Sequence, residues 1–502
     1  MLRFSVMDQI RKMFYKKKDH HGGALDSDYA PIVDERMPLA LEDEDSNGYA
    51  ASSFLEGESE EEAPFSWFEY SIFALIGVAM LWAWNMFMAA APYFQTRFAS
   101  DPWILANFQP TITSASTCTN LAAMLILTNI QYSASYPFRI NTALIMNVII
   151  FGLLTASTSI FLHASPLMYL IFLVVMVAGS AWACGLIQNG AFAYAASFGR
   201  PEYTQAIMAG QGVAGVLPPL AQMFTVLVFP VSAPDSTAPP PDGDPSTLNY
   251  DAVAEAATSA FFYFLTAVCI SVCALIAFQP LMRRHDRLVE TRMAQAMSES
   301  LASIEDAERA ARKVVSLKTL FFKLHWLALA VFGCFLISMF FPVLTPKVLS
   351  ITMPKPTSGA SVPAPTGPAI LQPSAFISLA FFFWNLGDLL GRMSTMLPAP
   401  TMFHERPVLL FAFAIGRLLF LPLYFLCNLG GRGAIVNSDL FYLLLVQLPY
   451  GLSSGWLSST SMMAASEWVE DGEREAAGSF MGMCLVAGLT CGSFLSFSVS
   501  QV

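Results

Sequence analysis

Charge is what this chain has least of. Asp, Glu, Lys and Arg make up only 13% of its 502 residues, against 55% hydrophobic. With a mean hydropathy of +0.53, that balance excludes a water-soluble fold of this size, because so much apolar surface has no single core large enough to hide in. Cysteine is also sparse. The eight thiols form no CxxC pair and have no histidine cluster beside them, which removes a disulfide framework and a metal centre from consideration. Neither a Walker loop nor an HExxH motif occurs, so neither ATP nor zinc chemistry is indicated, and no cofactor is expected.

What is abundant is apolar length. Runs able to cross a hydrocarbon layer, roughly 20 residues each, begin near Phe68, Phe108, Phe138, Leu167, Ala206, Ser259, Phe321, Ser374, Val408, Asp439 and Ala476. The expectation is an all-α polytopic membrane protein with eleven transmembrane helices, and the lipid bilayer as its environment. The first run follows about 65 polar residues and is as long as a full span, so it is not expected to be a cleaved signal. Residues 1–66, with the acidic stretch Glu42 to Glu62 that supplies much of the net charge of −11, are expected to form a disordered acidic tail.

Basic residues divide the remainder. Arg283, Arg284, Arg287, Arg292, Arg309, Arg312, Lys313 and Lys318 crowd the connection between the sixth and seventh runs, whereas Val231 to Ala257 has no Lys or Arg and carries five acidic residues. The positive-inside rule places the amino terminus and the basic connection in the cytosol, and the carboxyl terminus, after an odd number of spans, in a lumen or outside. The expected organisation is a tail over 1–66, six helices over 67–281, a partly helical cytosolic linker over 282–320 and five helices over 321–502. Two extracytosolic stretches, SAPDSTAPPPDGDPST and PKPTSGASVPAPTGP, read as irregular loops.

Two motifs mislead. Gly210, Gly212 and Gly215 match GxGxxG inside an apolar run with no preceding strand, and Gly451, Ser453 and Gly455 match GxSxG without a strand-to-helix turn or a companion histidine. Both read more simply as small residues that let helices approach, as do Gly478 with Gly482 and Gly488 with Gly492.

The informative residues are the polar ones where lipid should be. In SAFISLAFFFWNLGDLLGRMSTML, Asp388 and Arg392 stand four apart with Asn385 and Phe381 on the same helical face, so one stripe carries an acceptor, a guanidinium, an amide and a ring. Charges at membrane depth mark ligand pathways more often than they merely tie helices, and the two roles are compatible. A balanced pair suits a neutral ligand rich in hydrogen-bonding groups. Trp84 and Asn85 in the first span, and Gln188 with Asn189 in the fourth, are further candidates. Trp82 reads as an interfacial ring, and Arg417 as a side chain that snorkels or meets a backbone carbonyl.

At these residues the sequence resembles the equilibrative nucleoside transporter family from first span to last. The resemblance lies in Trp84-Asn-Met-Phe-Met-Ala, Gln188-Asn-Gly-Ala-Phe, Ala209 to Gly215, the stripe Phe381, Asn385, Asp388 and Gly391-Arg392, and Arg417 to Pro422 with Cys427-Asn428. Ala83 replaces a usual proline, and Ser454 stands where asparagine is common. The resemblance implies a six plus five, major-facilitator-like carrier of nucleosides, with nucleobases as further substrates. It places Trp84, Gln188, Asp388 and Arg392 near the pocket, with Met88 and Phe341 lining it. No nucleic acid and no obligate protein partner are implied. The long acidic amino terminus resembles vacuolar or lysosomal members, fungal ones in particular, with the plasma membrane as the alternative; Glu35 to Leu41 approaches an acidic dileucine signal. Facilitated transport by alternating access is expected. The rivals are proton coupling through Asp388, a membrane-embedded enzyme, for which no nucleophile, base and orienter set is visible, and a channel, for which no filter-like loop is visible.

Overall fold

The computed structural model describes residues 65–130, 135–160, 164–228, 245–299, 315–351, 371, 373–397 and 406–499. The acidic tail up to residue 64, the sorting-signal-like stretch, residues 229–244 and 352–370 of the two Pro-rich loops, and residues 300–314 of the basic linker lie outside them. The described chain is almost wholly helical: α1 (Trp67–Ala89), α2 (Ala91–Phe98), α3 (Pro102–Asn129), α4 (Tyr136–Ile160), α5 (Pro166–Ala196), α6 (Pro201–Val228), α7 (Pro245–Glu299), α8 (Leu317–Ser338), α9 (Phe341–Leu344), α10 (Pro373–Ser394), α11 (Pro407–Gly416), α12 (Phe420–Tyr424), a π-helical stretch (Phe441–Gln447) leading into α13 (Leu448–Ala464), and α14 (Arg474–Val499). With α1–α2, α8–α9, α11–α12 and the π stretch with α13 each taken as one passage, eleven segments of spanning length follow one another, as the apolar runs predict.

Local chemistry sets the starts. Ser66, Asp101, Ser165 and Ser316 cap α1, α3, α5 and α8 through their side chains, with Pro102 and Pro166 in the first turn of α3 and α5, where a missing N–H costs nothing. Among the described residues, eight stretches are long and apolar enough to cross a membrane unaided: Trp67–Phe98, Pro102–Asn129, Tyr136–Ile160, Pro166–Ala196, Ala256–Arg284, Leu317–Lys347, Pro407–Tyr424 and Arg474–Ser496. The other three segments, α6, α10 and the passage 441–464, carry the polar residues. They include Gln205, Gln211, Asp388, Arg392, Gln447, Ser453, Ser454, Ser458 and Ser459, all buried. Their polarity is tolerable because they pack on one another, α10 between α6 and α13, so their backbone and side-chain groups meet protein rather than lipid. Around them Trp67, Phe138, Ile149, Ile160, Phe224 and Leu419 are exposed on the outer faces, as lipid contact requires.

Glycines set how closely the polar helices approach. A Cβ on Gly451 would strike the Trp384 carbonyl, one on Gly455 the Asp388 carbonyl, and one on Gly387 the Leu448 carbonyl, so α10 and α13 lie backbone to backbone. Gly77 and Gly210 bring α1 and α6 together in the same way, against the carbonyls of Ile207 and Ala74.

The starts of α1, α6, α8 and α14 gather at the end of the bundle from which the α7–α8 linker leaves. The Tyr203 hydroxyl donates to Glu69 Oε2 at 2.6 Å, Arg284 pairs with Glu69 Oε1, and Lys323 Nζ donates to Glu473 Oε2 at 2.6 Å. At the opposite end Asp439 accepts from Ser350 Oγ at 2.6 Å and from the Ile351 amide at 3.0 Å.

Candidate functional site: a buried polar stripe on α10

The stripe predicted from sequence is bonded across helices. Arg392 Nε donates to Asp388 Oδ2 at 2.7 Å, one helical turn apart, and both residues are 5% exposed. Arg392 Nη1 reaches across to α6, donating to the Met208 carbonyl at 2.9 Å and to Gln211 Oε1 at 3.2 Å. Gln205 Nε2 returns a bond to the Arg392 carbonyl at 3.0 Å and itself accepts from the Tyr70 hydroxyl at 2.6 Å, while Gln211 Nε2 meets Met80 Sδ at 2.9 Å. The guanidinium is thus largely committed within the protein, tying α10 to α6 and, through glutamines, to α1.

The GxGxxG residues explain how so large a side chain fits. Gly212 faces the Arg392 stem and Leu389, each 3.1 Å from where a Cβ would lie, and Gly215 faces Asn385 Oδ1 at 2.6 Å. The motif is therefore a packing device, and what it makes room for is the stripe. Asn385 does not aim outward. Its Nδ2 donates to the Phe381 carbonyl of its own helix at 2.8 Å.

Asp388 Oδ1 is different. It is buried and has no hydrogen-bond partner among the described residues. An unanswered carboxylate oxygen in a low-dielectric interior is costly, and its chemistry asks for a hydroxyl or amide donor. One turn away, Trp384 Nε1 is also buried without a partner. The Trp384 ring lies flat on Phe341, centroids 4.2 Å apart and planes 9° apart, and Phe381 meets Phe341 edge-on at 5.1 Å. Phe341 is thus brought against Phe381 and Trp384 on the charged pair's helix. Sequence reasoning misses Trp384 because an indole ending an FFFW run reads as lipid-facing; its four-residue spacing from Asp388 is the available signal.

The remaining expected residues sit on neighbouring helices. On α1, Trp84 and Met88 are half-buried, and Asn85 Nδ2 between them donates to the Ala214 carbonyl of α6 at 2.8 Å, one residue from Gly215. Gln188 on α5 is buried, and its side chain accepts from Asn120 Nδ2 of α3 at 3.5 Å, with no side-chain hydrogen bond to the stripe among the described residues. Asn120 Oδ1 is another buried atom without a partner. Sequence reasoning misses it too, although an amide inside the second apolar run is visible. Asn189 binds Arg139, Thr128 and Ser479 and is structural. Trp82 donates to Thr266 Oγ1 of α7 at 3.1 Å, a helix-to-helix contact. Arg417 does not snorkel. At 1% exposed it spends its donors on the Cys334 carbonyl at 2.7 Å, Ser338 Oγ at 2.9 Å and Ser453 Oγ at 3.2 Å, beneath the face of Tyr450. A separate cavity of about 290 Å³ at the linker end, lined by Gly199, Arg200, Pro201, Glu202, Ser466, Glu467 and Arg474, mixes both charge signs and holds none of the stripe.

An uncharged-overall pair buried in a membrane bundle, with one open acceptor beside stacked rings, suits a neutral polyhydroxylated aromatic ligand. The family model described as nucleoside transporter matches residues 173–501, which include the whole stripe. The chain belongs to the nucleoside transporter family. It is 26% identical over 469 residues to the nucleoside transporter FUN26 of Saccharomyces cerevisiae, covering 85% of this chain and 83% of that one. To the human equilibrative nucleoside transporter 2 it is 25% identical over 484 residues, covering 85% and 95%. The Arabidopsis thaliana equilibrative nucleotide transporter 1 is 24% identical over 439 residues, covering 86% and 85%. Among solved structures, the fold is shared with the major facilitator FucP in its outward conformation (TM-score 0.50, 15% identity, 86% of this chain and 95% of that one) and with the human organic anion transporter MFSD10 (TM-score 0.51, 13% identity, 86% and 93%). This member of the nucleoside transporter family is thus an integral, multi-pass membrane protein of major-facilitator architecture, and its named relatives are transporters.

Proposed function

We propose that this chain is a facilitative carrier that moves nucleosides, and nucleobases as further substrates, by alternating access between its first six and last five spans. The observation that carries the reading is the open Asp388 Oδ1, beside a pair whose net charge is zero, on the helix that joins α6 to α13. A sugar hydroxyl answers such an oxygen without bringing a charge into the membrane. The stacked rings at Phe341 and Phe381 favour an aromatic base, Met88 offers a polarisable thioether surface, and Gln188 with the unanswered Asn120 Oδ1 offers an amide edge for base pairing. Trp84, four residues before Met88, lies on the same face of α1 as that thioether. The division into a tail over 1–66, helices over 67–281, a cytosolic linker over 282–320 and helices over 321–502 belongs to this proposal. So does a cytosolic amino terminus with a luminal carboxyl terminus on a vacuolar or lysosomal membrane, supported by the Lys/Arg asymmetry and the long acidic amino terminus.

The test is uptake of radiolabelled uridine and adenosine into proteoliposomes, wild type against Asp388→Asn, with and without an imposed pH gradient. Saturable uptake that ignores the gradient and is lost in Asp388→Asn is the expected result. Uptake that follows the gradient would replace facilitation with coupling, with Asp388 as the first candidate proton carrier. No uptake by folded wild type would sink the substrate assignment.

A further inference from the structure

The α10 stripe leaves a buried acceptor, Asp388 Oδ1, and a buried donor, Trp384 Nε1, both without a protein partner among the described residues. They stand four residues apart, one above the other on a single helical face. The indole is not free to swing toward another acceptor. One face is covered by Phe341 at 4.2 Å, Tyr450 meets it edge-on at 6.3 Å, and the Trp384 carbonyl is pressed against Gly451 of α13. A ring held this firmly presents its N–H in a fixed direction, and packing alone gives no reason for the N–H, since a phenylalanine would stack as well.

We infer that Trp384 is a specificity-determining residue: its Nε1–H donates to one hydroxyl of the ribose 2′,3′-diol, whose other hydroxyl donates to Asp388 Oδ1. The inference rests on the reading that Asp388 takes the sugar of a nucleoside. A vicinal diol is the group that offers a donor at one oxygen and an acceptor at the next, and the two residues whose polar atoms lack partners stand one helical turn apart along α10. A deoxyribose answers only one of the two protein groups and leaves the other buried and unpaired, which is how a polar site rejects an analogue that lacks one hydroxyl. The site therefore distinguishes ribonucleosides from deoxyribonucleosides.

The experiment compares wild type, Trp384→Phe and Asp388→Asn for half-saturation by uridine, 2′-deoxyuridine and 3′-deoxyuridine in proteoliposomes, with ligand-induced rises in melting temperature of the detergent-solubilised proteins as a readout independent of transport. Trp384→Phe keeps the stack and removes the N–H. It is expected to weaken uridine about five- to tenfold and to leave one of the two deoxy analogues bound as in wild type, because that analogue lacks the accepting oxygen. Equal weakening of all three ligands, or of none, overturns the inference. If Asp388→Asn abolishes uridine binding while Trp384→Phe is silent, the Trp384 role alone falls; if Asp388→Asn leaves uridine binding intact, the reading of Asp388 as the sugar's partner falls first.

Discussion

At the residue scale, the structural role of Asp388 and Arg392 can be separated from the transport role proposed for them. Removing either partner strands a charge that is 5% exposed, which costs about 3–5 kcal/mol, whereas removing both leaves an uncharged gap. Asp388→Ala and Arg392→Ala should therefore each lower the melting temperature in detergent sharply, and the double variant should recover part of that loss. Uptake should stay absent in all three. A double variant that transports would show the pair to be helix glue only. Cys427 makes a second residue-scale prediction. It lies past the end of α12, and burial, followed by the nearby Asp439 carboxylate, pushes its thiol up to about 11. A raised pKa keeps the thiol neutral, so at pH 8 its thiolate fraction is about a hundredfold below that of a free thiol. Maleimide at pH 8 should modify Cys427 far more slowly than it modifies a small free thiol added to the same sample, followed by peptide mapping and by the loss of that thiol. What could be read of the site from sequence follows the same physics. Asp388 and Arg392 are legible because burying charge is costly enough to need a reason. Trp384 and Asn120 are not, because an indole or amide becomes informative only when its polar atom is seen to lack a partner.

At the element scale, the polar helices hold together by backbone approach. Gly455→Ala pushes a methyl into the Asp388 carbonyl and has only main chain to displace, so it should cost about 1–3 kcal/mol and disturb the residue proposed to face the substrate. At Gly152 on α4 a methyl would find nothing within 4 Å, and Gly152→Ala there should stabilise by about 0.5–1 kcal/mol through helix propensity. Melting temperatures of the two variants should move in opposite directions; a Gly455→Ala variant as stable as wild type would overturn the account of the α10–α13 seam. The eleven helical passages are legible as apolar runs, because length and hydrophobicity decide spanning. The break at Arg417–Leu419 between α11 and α12 and the π-helical start of the tenth passage are not, since they depend on which neighbours satisfy the loosened backbone groups.

At the scale of the molecule, polar contacts between the first six spans and the last five are conspicuous toward the linker end. There Arg392 binds the Met208 carbonyl, Gln205 binds the Arg392 carbonyl, and Ser479 Oγ donates to Thr128 Oγ1 at 3.2 Å with Asn189 bonded to both. Gly478 presses on the Phe192 carbonyl beside them. Alternating access requires this seal to part once per cycle, and the contact between α3 and α14 is a place to hold it shut. Thr128→Cys with Ser479→Cys puts two thiols where hydroxyls already touch, within the reach of a disulfide. Oxidation with copper phenanthroline should form the bond and stop uridine uptake, reductant should restore it, and uridine binding from the opposite face should survive the lock. Transport that continues at full rate with the bond complete would mean that α3 and α14 never separate, and the rocking of six spans against five would have to give way to motion of fewer helices around the α10 stripe.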